Sequence, residues 1–272
     1  MNERERALTA TVVAIVSPAS RDEACATLSA LSHQAGVRPV IISLGRDAEP
    51  PRRELDGAVV IDGLVPKYLD NAVAALRLSS LPAIAWWRAE EMSVLGALTR
   101  LVDRVVLDLP DPSGAWRLVP ELASLAPVSD IRWARLTRWR DLVAQFFDVP
   151  EVRAGRWTAL TISGSDAFDA RLIAGWLQSR LPGGRETVTE HQRTQGERLQ
   201  SIELSGETGR LTVRLLPNGT CIETAADLRS GHVESRVVTR GDERLPALLG
   251  QELRVRSRDL AFEDAVRELE PR

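Results

Sequence analysis

Residues 11–16 read TVVAIV, and this β-branched run opens the part of the chain that decides the fold. A segment with helical spacing follows at residues 22–34, with Ser20 as its candidate N-cap and Gly36 at its end. The next apolar run, PVIISL, covers residues 39–44. Short continuous apolar runs on either side of a helix predict parallel strands that are buried on both faces of a sheet.

The same alternation continues through the first half of the chain. Strands are predicted at residues 58–61, 83–86 and 104–107, and helices at residues 67–78, 94–101 and 116–125. Repeated strand–helix units are typical of doubly wound α/β proteins. We therefore expect residues 1–152 to form a Rossmann-like α/β domain with a mostly parallel sheet.

The second half has a different pattern. An amphipathic helix is predicted over residues 137–148, with Thr137 as its candidate N-cap. Further strands are predicted at residues 157–162, 199–204, 211–216, 220–224 and 233–239, and a last helix at residues 245–269 with a break near residues 256–259. The dipeptide Asn218-Gly219 favours a hairpin. Strands in direct succession predict an antiparallel meander, so we expect residues 153–272 to form a smaller α+β domain.

The charge of the chain argues against some classes of partner. The 272 residues include 35 Lys and Arg and 38 Asp and Glu, which gives a formal net charge of −3. The chain has no excess of positive charge that could bind nucleic-acid phosphates or an anionic membrane. No apolar run approaches the roughly 20 residues of a membrane span, and no signal-type cleavage site follows the first apolar run. We expect a cytoplasmic protein without a nucleic-acid or membrane partner.

Catalytic and cofactor motifs are scarce. The three histidines, His33, His191 and His232, are scattered and do not have the spacing of metal ligands. The cysteines, Cys25 and Cys221, are far apart as well. Neither a P-loop nor a Gly-x-Gly-x-x-Gly motif follows the first strand. We therefore predict no metal, no cofactor and no enzymatic activity.

Three places could still support chemistry, and they define an alternative hypothesis. Asp62 and Asp108 follow predicted strands, and the carboxyl ends of parallel strands are where open α/β sheets bind ligands. The turn Ser163-Gly164-Ser165 precedes a helix and could bind an anion, but Ser165 is better explained as the N-cap, with Asp166 beside it at the positive end of the helix. The alternative is a sugar-phosphate or nucleotide-processing α/β enzyme that uses these carboxylates.

Two tryptophan–arginine segments are the best candidates for a binding surface. Four of the seven tryptophans lie beside arginines in residues 81–88 and 131–140, and such groups dominate the energetics of protein interfaces. Alternation along a strand sends Trp86 and Trp87 to opposite faces, so we expect Trp86 in the core and Trp87 on the rim. Trp139 belongs to an apolar helix face and is also assigned to the core. The partner-binding candidates are Trp87, Arg88, Trp133, Arg135 and Arg138.

These segments resemble the glucose-6-phosphate dehydrogenase assembly protein family, OpcA. The resemblance rests on residues 81–87, 101–108, 130–140, 145–148 and 174–181, and more faintly on residues 248–253. The family often has a proline where this chain has Arg138. An arginine is tolerated at this place in a helix, so we expect the helix to form.

The resemblance implies a non-catalytic partner of glucose-6-phosphate dehydrogenase. Such a protein acts in assembly or as an allosteric activator, promotes the active oligomer or conformer of the enzyme, and supports NADPH production in the oxidative pentose phosphate pathway. The resemblance thus makes glucose-6-phosphate dehydrogenase the expected partner of this chain. A ligand-sensing α/β module with a different partner is a third hypothesis.

Overall fold

The structure of the protein is a computed structural model that describes residues 8–47, 52–55, 57–231 and 233–269. Its internal contacts divide the chain into two compact units. The first unit contains the described residues up to Ala134 together with Glu243–Asp259. The second unit contains Arg135–Asp242 together with the described residues from Leu260 onward.

Strands and helices alternate in the first half of the chain and give way to successive strands in the second. The strands are β1 (Ala10–Val16), β2 (Val37–Asp47), β3 (Arg52–Leu55), β4 (Ala58–Leu64), β5 (Ala83–Arg88), β6 (Arg104–Leu107), β7 (Val128–Asp130), β8 (Trp157–Gly164), β9 (Val188–Arg193), β10 (Ser201–Gly206), β11 (Gly209–Leu215), β12 (Cys221–Leu228) and β13 (Val233–Thr239). The helices are α1 (Arg21–Ala35), α2 (Leu69–Leu76), α3 (Leu95–Thr99), α4 (Ser113–Leu122), α5 (Ile131–Arg135), α6 (Thr137–Phe146), α7 (Pro150–Ala154), α8 (Ala167–Arg180), α9 (Leu245–Glu252) and α10 (Leu260–Arg267).

The first unit is built on a seven-stranded sheet with the order β3-β4-β2-β1-β5-β6-β7. Neighbouring strands are parallel except for β3, which runs antiparallel to β4 at the edge. Without β3, the strand order is that of the doubly wound Rossmann sheet, whose switch point lies between β1 and β5. The predicted Rossmann-like, mostly parallel sheet is confirmed.

Burial explains why this sheet forms. All seven residues of β1 are buried, as expected for a central parallel strand that is covered on both faces. Leu28 and Leu31 of α1 belong to the same apolar cluster, and so do Leu248 and Leu249 of α9. Gly36 ends α1 with a φ of 64°, a conformation that suits glycine, and the chain enters β2 at the next residue.

The second unit contains a six-stranded sheet with the order β13-β12-β11-β10-β8-β9. Its pairs are antiparallel except for β9, which runs parallel to β8. Buried side chains alternate with less buried ones along β8 and β12, so only one face of the sheet is covered. The expected antiparallel meander is confirmed, and a hairpin at Asn218-Gly219 joins β11 to β12.

Three strands and two helix caps, those of α6 and α8, differ from the prediction, and the short helices α5 and α7 were not predicted. The sequences of β3, β7 and β9 are RREL, VSD and VTEHQR, and they lack the apolar runs by which the other strands were predicted. The N-cap of α6 is Leu136 and not Thr137, whose hydroxyl accepts a hydrogen bond of 3.0 Å from Arg140. The break expected near the end of the chain is present, between α9 and α10.

The contacts divide the chain differently from the predicted domains. The sequence predicts one boundary, between residues 152 and 153, whereas the contacts change unit after Ala134, Asp242 and Asp259. The domains 1–152 and 153–272 therefore stay a prediction. Among the residues that the structure describes, no helix is long and apolar enough to cross a membrane.

Candidate functional site

The switch point of the parallel sheet is bridged by side chains of the protein itself. Arg88, the last residue of β5, donates from Nη2 to Glu23 Oε2 of α1 at 2.6 Å and from Nε to Asp108 Oδ2 at 3.0 Å. Its guanidinium lies 5.0 Å from the centre of the Trp86 ring. Trp86 Nε1 donates to the same Asp108 oxygen at 3.2 Å. The strand ends, where doubly wound sheets hold a ligand, are thus joined here by ion pairs.

Asp130, at the end of β7, is a second carboxyl group near this cluster. It is completely buried, with Oδ2 accepting from Trp116 Nε1 at 2.8 Å and Oδ1 accepting from the Arg132 backbone N–H at 2.7 Å. The pKa of Asp130 is raised to about 7, chiefly by burial and with a smaller contribution from the charge of Asp108, while the interactions with Trp116 and Arg132 lower it.

This carboxyl group titrates near neutral pH, as general acid–base groups do. Because it is enclosed and bonded to two donors, it has no path to a substrate in this structure. Sequence reasoning missed Asp130, since β7 itself was not predicted. The available signal was its place directly after Val128 and Ser129, which resembles that of Asp108 after β6.

Asp62, the other carboxylate of the alternative hypothesis, is held by a different pair of arginines. It accepts from Arg21 Nη1 at 3.3 Å and from Arg53 Nη2. These side chains line a cleft of about 280 Å³ beside Cys25. Asp62 pairs with Arg21 and Arg53, whereas Asp108 pairs with Arg88. The two carboxylates therefore belong to separate ion-paired groups and do not form one acidic pair.

The helix that follows the Ser163-Gly164-Ser165 turn has its N-terminal backbone N–H groups capped by a side chain of the protein. The N-cap of α8 is Asp166, whose Oδ1 accepts from two backbone N–H groups at 2.9 and 3.1 Å. Ser165 was the predicted N-cap, but its hydroxyl donates instead to Gly196 O. A carboxylate already occupies the positive end of the helix, which is where an anion would bind.

Both tryptophans among the partner-binding candidates are buried. Trp87 is 0% exposed, which corrects the expectation that it lies on the rim, and Trp133 is 1% exposed, so neither forms part of an exposed surface. The parallel sheet is covered on both faces, so alternation along β5 buries Trp87 as well as Trp86. Trp133 donates from Nε1 to Asp259 Oδ2 at 2.7 Å. The packing role predicted for Trp86 and Trp139 agrees with their burial.

The three candidate arginines are partly exposed. Arg88 takes part in the switch-point ion pairs, and its side chain is 14% exposed. Arg138 is half-buried and donates from Nε to Thr239 O at 3.1 Å, and Arg135 is half-buried too. Partner binding by these residues stays a prediction. Among the described residues, no group of three His, Cys, Asp or Glu could hold a metal ion, and His232 lies outside them.

Comparison with protein families gives the decisive observation. Residues 126–266, just over half of the chain, match the OpcA family model, which describes the C-terminal domain of a glucose-6-phosphate dehydrogenase subunit. The chain belongs to the OpcA family. The resemblance that the sequence motifs indicated is confirmed.

Curated OpcA relatives come from cyanobacteria. The putative OxPP cycle protein OpcA of Nostoc punctiforme is 26% identical over 245 residues, which cover 73% of this chain and 52% of the relative. The protein of the same name from Synechocystis sp. is 30% identical over 125 residues, which cover 42% of this chain and 26% of the relative. The chain therefore spans about half the length, or less, of the OpcA relatives that it matches.

Solved structures with a similar fold are oxidoreductases. The chain is similar to an oxidoreductase from Sinorhizobium meliloti with a TM-score of 0.55 at 10% identity, over 96% of this chain and 94% of that one. A probable oxidoreductase, yhhX, gives a TM-score of 0.53 at 8% identity, with the same coverage. At such identities the likeness concerns the fold alone, and it agrees with a Rossmann-like unit and a second sheet.

Proposed function

We propose that this protein binds glucose-6-phosphate dehydrogenase and promotes its active oligomer or conformer, as a non-catalytic cytoplasmic partner in the oxidative pentose phosphate pathway. The observation that carries the proposal is the match of residues 126–266 to a domain described as part of a subunit of that dehydrogenase. The name of the relatives, OxPP cycle protein, supports the same pathway.

A non-catalytic role is supported by the state of the strand-end carboxylates. A general acid or base must reach the proton that it transfers. Asp108 is bonded to Arg88 and Trp86, Asp62 is bonded to two arginines, and Asp130 is enclosed. In these positions each carboxylate is bonded to other groups of the protein itself.

Promotion of an active state requires differential binding. A partner shifts an equilibrium between two states of the enzyme only by the ratio of its affinities for those states. A ten-fold shift corresponds to a difference of about 1.4 kcal/mol in binding free energy. Such a difference needs only a few contacts that exist in one state of the enzyme and not in the other.

The test mixes this protein with purified glucose-6-phosphate dehydrogenase from the same organism. We expect the rate of NADPH formation to rise saturably with added protein, and light scattering to show a complex of higher mass. If the rate and the mass both stay unchanged at saturating excess, the proposal is wrong.

A control without the dehydrogenase tests the non-catalytic part. We expect no turnover when this protein alone is incubated with glucose 6-phosphate or with nucleotides. Turnover that is lost in Asp108→Asn would favour the alternative enzyme hypothesis.

A further inference from the structure

A basic segment interrupts the slightly acidic surface of the chain. Residues 254–258 read RVRSR, and all five are exposed, although the whole chain carries a net charge of −3. The guanidinium groups of Arg254 and Arg256 have no ion-pair partner among the described residues. Between them Val255 is 41% exposed, so an apolar side chain lies between the two cations. We refer to residues 254–258 as the docking segment.

Buried contacts fix the docking segment in place. Arg104, whose side chain is 4% exposed, donates from Nη1 to Ser257 O at 3.2 Å and from Nη2 to Glu252 Oε2 at 2.6 Å. Directly after the segment, Asp259 accepts from Trp133 Nε1 at 2.7 Å. The docking segment is therefore held at Ser257 and at Asp259, the residue that follows it. A surface that is already ordered loses less conformational entropy when it binds a partner.

A cleft lies beside the docking segment, at the amino ends of β1, β5 and β6. Its volume is about 450 Å³, within the range of pockets that hold a ligand or a few side chains. Its lining includes Leu81, Pro82, Pro127, Val255 and Arg256. The lining also includes Asp103, whose carboxylate already accepts from the backbone N–H of Ala83. The cleft is at the opposite end of the strands from the switch point.

We propose that the docking segment and this cleft bind an acidic segment of glucose-6-phosphate dehydrogenase, with its carboxylates on Arg254 and Arg256 and an apolar side chain in the cleft against Val255. This inference rests on the proposed function for the identity of the partner. The surface combines two cations that lack an ion-pair partner within the described chain with an exposed apolar side chain and a cleft that is lined by both apolar and polar residues. A peptide can match both properties, whereas a free phosphate can match only the charge.

Trp133, one of the candidate tryptophans, supports the docking segment from the interior of the protein. Trp133 does not reach the partner, since it is buried, but it holds Asp259 at the end of the docking segment. It is therefore a positioning residue in this inference. Arg104, the first residue of β6, is also a positioning residue, because it donates to the carbonyl oxygen of Ser257.

The test compares two doubly charge-reversed proteins. Arg254→Glu with Arg256→Glu changes the docking segment, and Arg193→Glu with Arg229→Glu changes two exposed arginines of the second unit as a matched control. Each pair of substitutions takes the net charge from −3 to −7, because each replacement changes the charge by −2. All four side chains are exposed, so we expect both proteins to fold, which thermal unfolding checks.

The measured quantities are the association rate with the purified dehydrogenase and its dependence on salt. We expect the docking-segment variant to associate about ten-fold more slowly than the control and to lose most of the salt dependence, because charges at an interface act mainly on association. We expect Val255→Asp to dissociate faster, because a charged side chain would replace the apolar one against which the partner packs.

The outcomes separate this inference from the proposed function. If the unmodified protein binds the dehydrogenase and both doubly reversed proteins bind equally fast, the docking surface is wrong and the proposed function stands. If the unmodified protein does not bind the dehydrogenase at all, both proposals are wrong.

Discussion

Asp130 is the residue whose protonation state has the clearest physical consequence. An ordinary aspartate has a pKa near 3.8, and burial raises the pKa of Asp130 to about 7. The folded protein therefore holds this proton more tightly than the unfolded chain. The contribution of the group to stability is complete below the unfolded pKa and is lost as the pH rises through about 7.

We predict that Asp130→Asn removes this pH dependence. Between pH 4 and pH 7 the free energy of unfolding of the unmodified protein should fall, relative to the variant, by up to about 1.4 kcal/mol per pH unit. Urea unfolding of both proteins at four pH values in this window measures the difference. If the free energies of unfolding of the two proteins change in parallel with pH, Asp130 does not titrate in this window. A constant offset between the two curves would reflect only the effect of the Asn side chain on stability.

Single residues also show where sequence reasoning succeeded and where it did not. The burial of Trp86 and Trp139 could be predicted from an apolar strand and an apolar helix face. Trp87 was assigned to a rim by strand alternation, but alternation exposes a side chain only when one face of the sheet is open. The same sequence predicted a sheet covered on both faces, so the burial of Trp87 followed from an inference already available.

At the scale of elements, α8 and α10 pack closely against each other at Gly175, which has no side chain to keep them apart. A Cβ built on Gly175 of α8 would lie 2.3 Å from the carbonyl oxygen of Ala265 in α10. That oxygen belongs to the backbone and cannot turn away as a flexible side chain can. The contact explains why a residue with poor helix propensity stands in the middle of a helix.

We predict that Gly175→Ala destabilises the protein by about 1–3 kcal/mol, because the two helices must move apart. Gly114→Ala in α4 is the matched control, since a Cβ there has no described atom within 4 Å. The control should be neutral or slightly stabilising, because alanine is the better helix former. Thermal unfolding compares the two variants, and equal midpoints would contradict the close packing of α8 on α10.

Elements with strong apolar patterns could be predicted, and polar ones could not. The inner strands of the first sheet and the meander of the second were both expected from the sequence. β9 was missed because it lies at a sheet edge, where its polar sequence VTEHQR needs only backbone pairing with β8. Both Ser165 and Asp166 were recognised at the start of α8, but which of them forms the cap depends on backbone geometry.

At the scale of the whole molecule, the first unit is completed by a distant part of the chain. Glu252 of α9 lies 148 residues beyond Arg104, and the two form a buried ion pair of 2.6 Å. The Ser129 hydroxyl donates to the same carboxylate at 2.5 Å. Sequence patterns describe neighbours along the chain and carry no signal for such a pair, so neither this contact nor the docking surface beside it was predicted.

We predict that Glu252→Ala destabilises the first unit by about 3–5 kcal/mol, because it leaves the Arg104 guanidinium buried without a carboxylate. The double variant Arg104→Met with Glu252→Leu should lose clearly less. Ser129 loses its acceptor in both proteins, so the difference between them isolates the buried charge. Urea unfolding followed by tryptophan fluorescence measures the free energy of unfolding of both variants. Equal losses of stability would show that the single variant does not suffer from an uncompensated buried charge.

The return of the chain to the first unit also constrains how the molecule is made. A ribosome delivers residues in order, and α9, with Leu248 and Leu249 in the core of the first unit, leaves the exit tunnel only after the meander has been synthesised. Throughout that interval the apolar surface of α1 that α9 covers is open to water. The first unit therefore begins before the second but is completed only after most of the second has been synthesised, and a chaperone would find its exposed apolar surface during that interval.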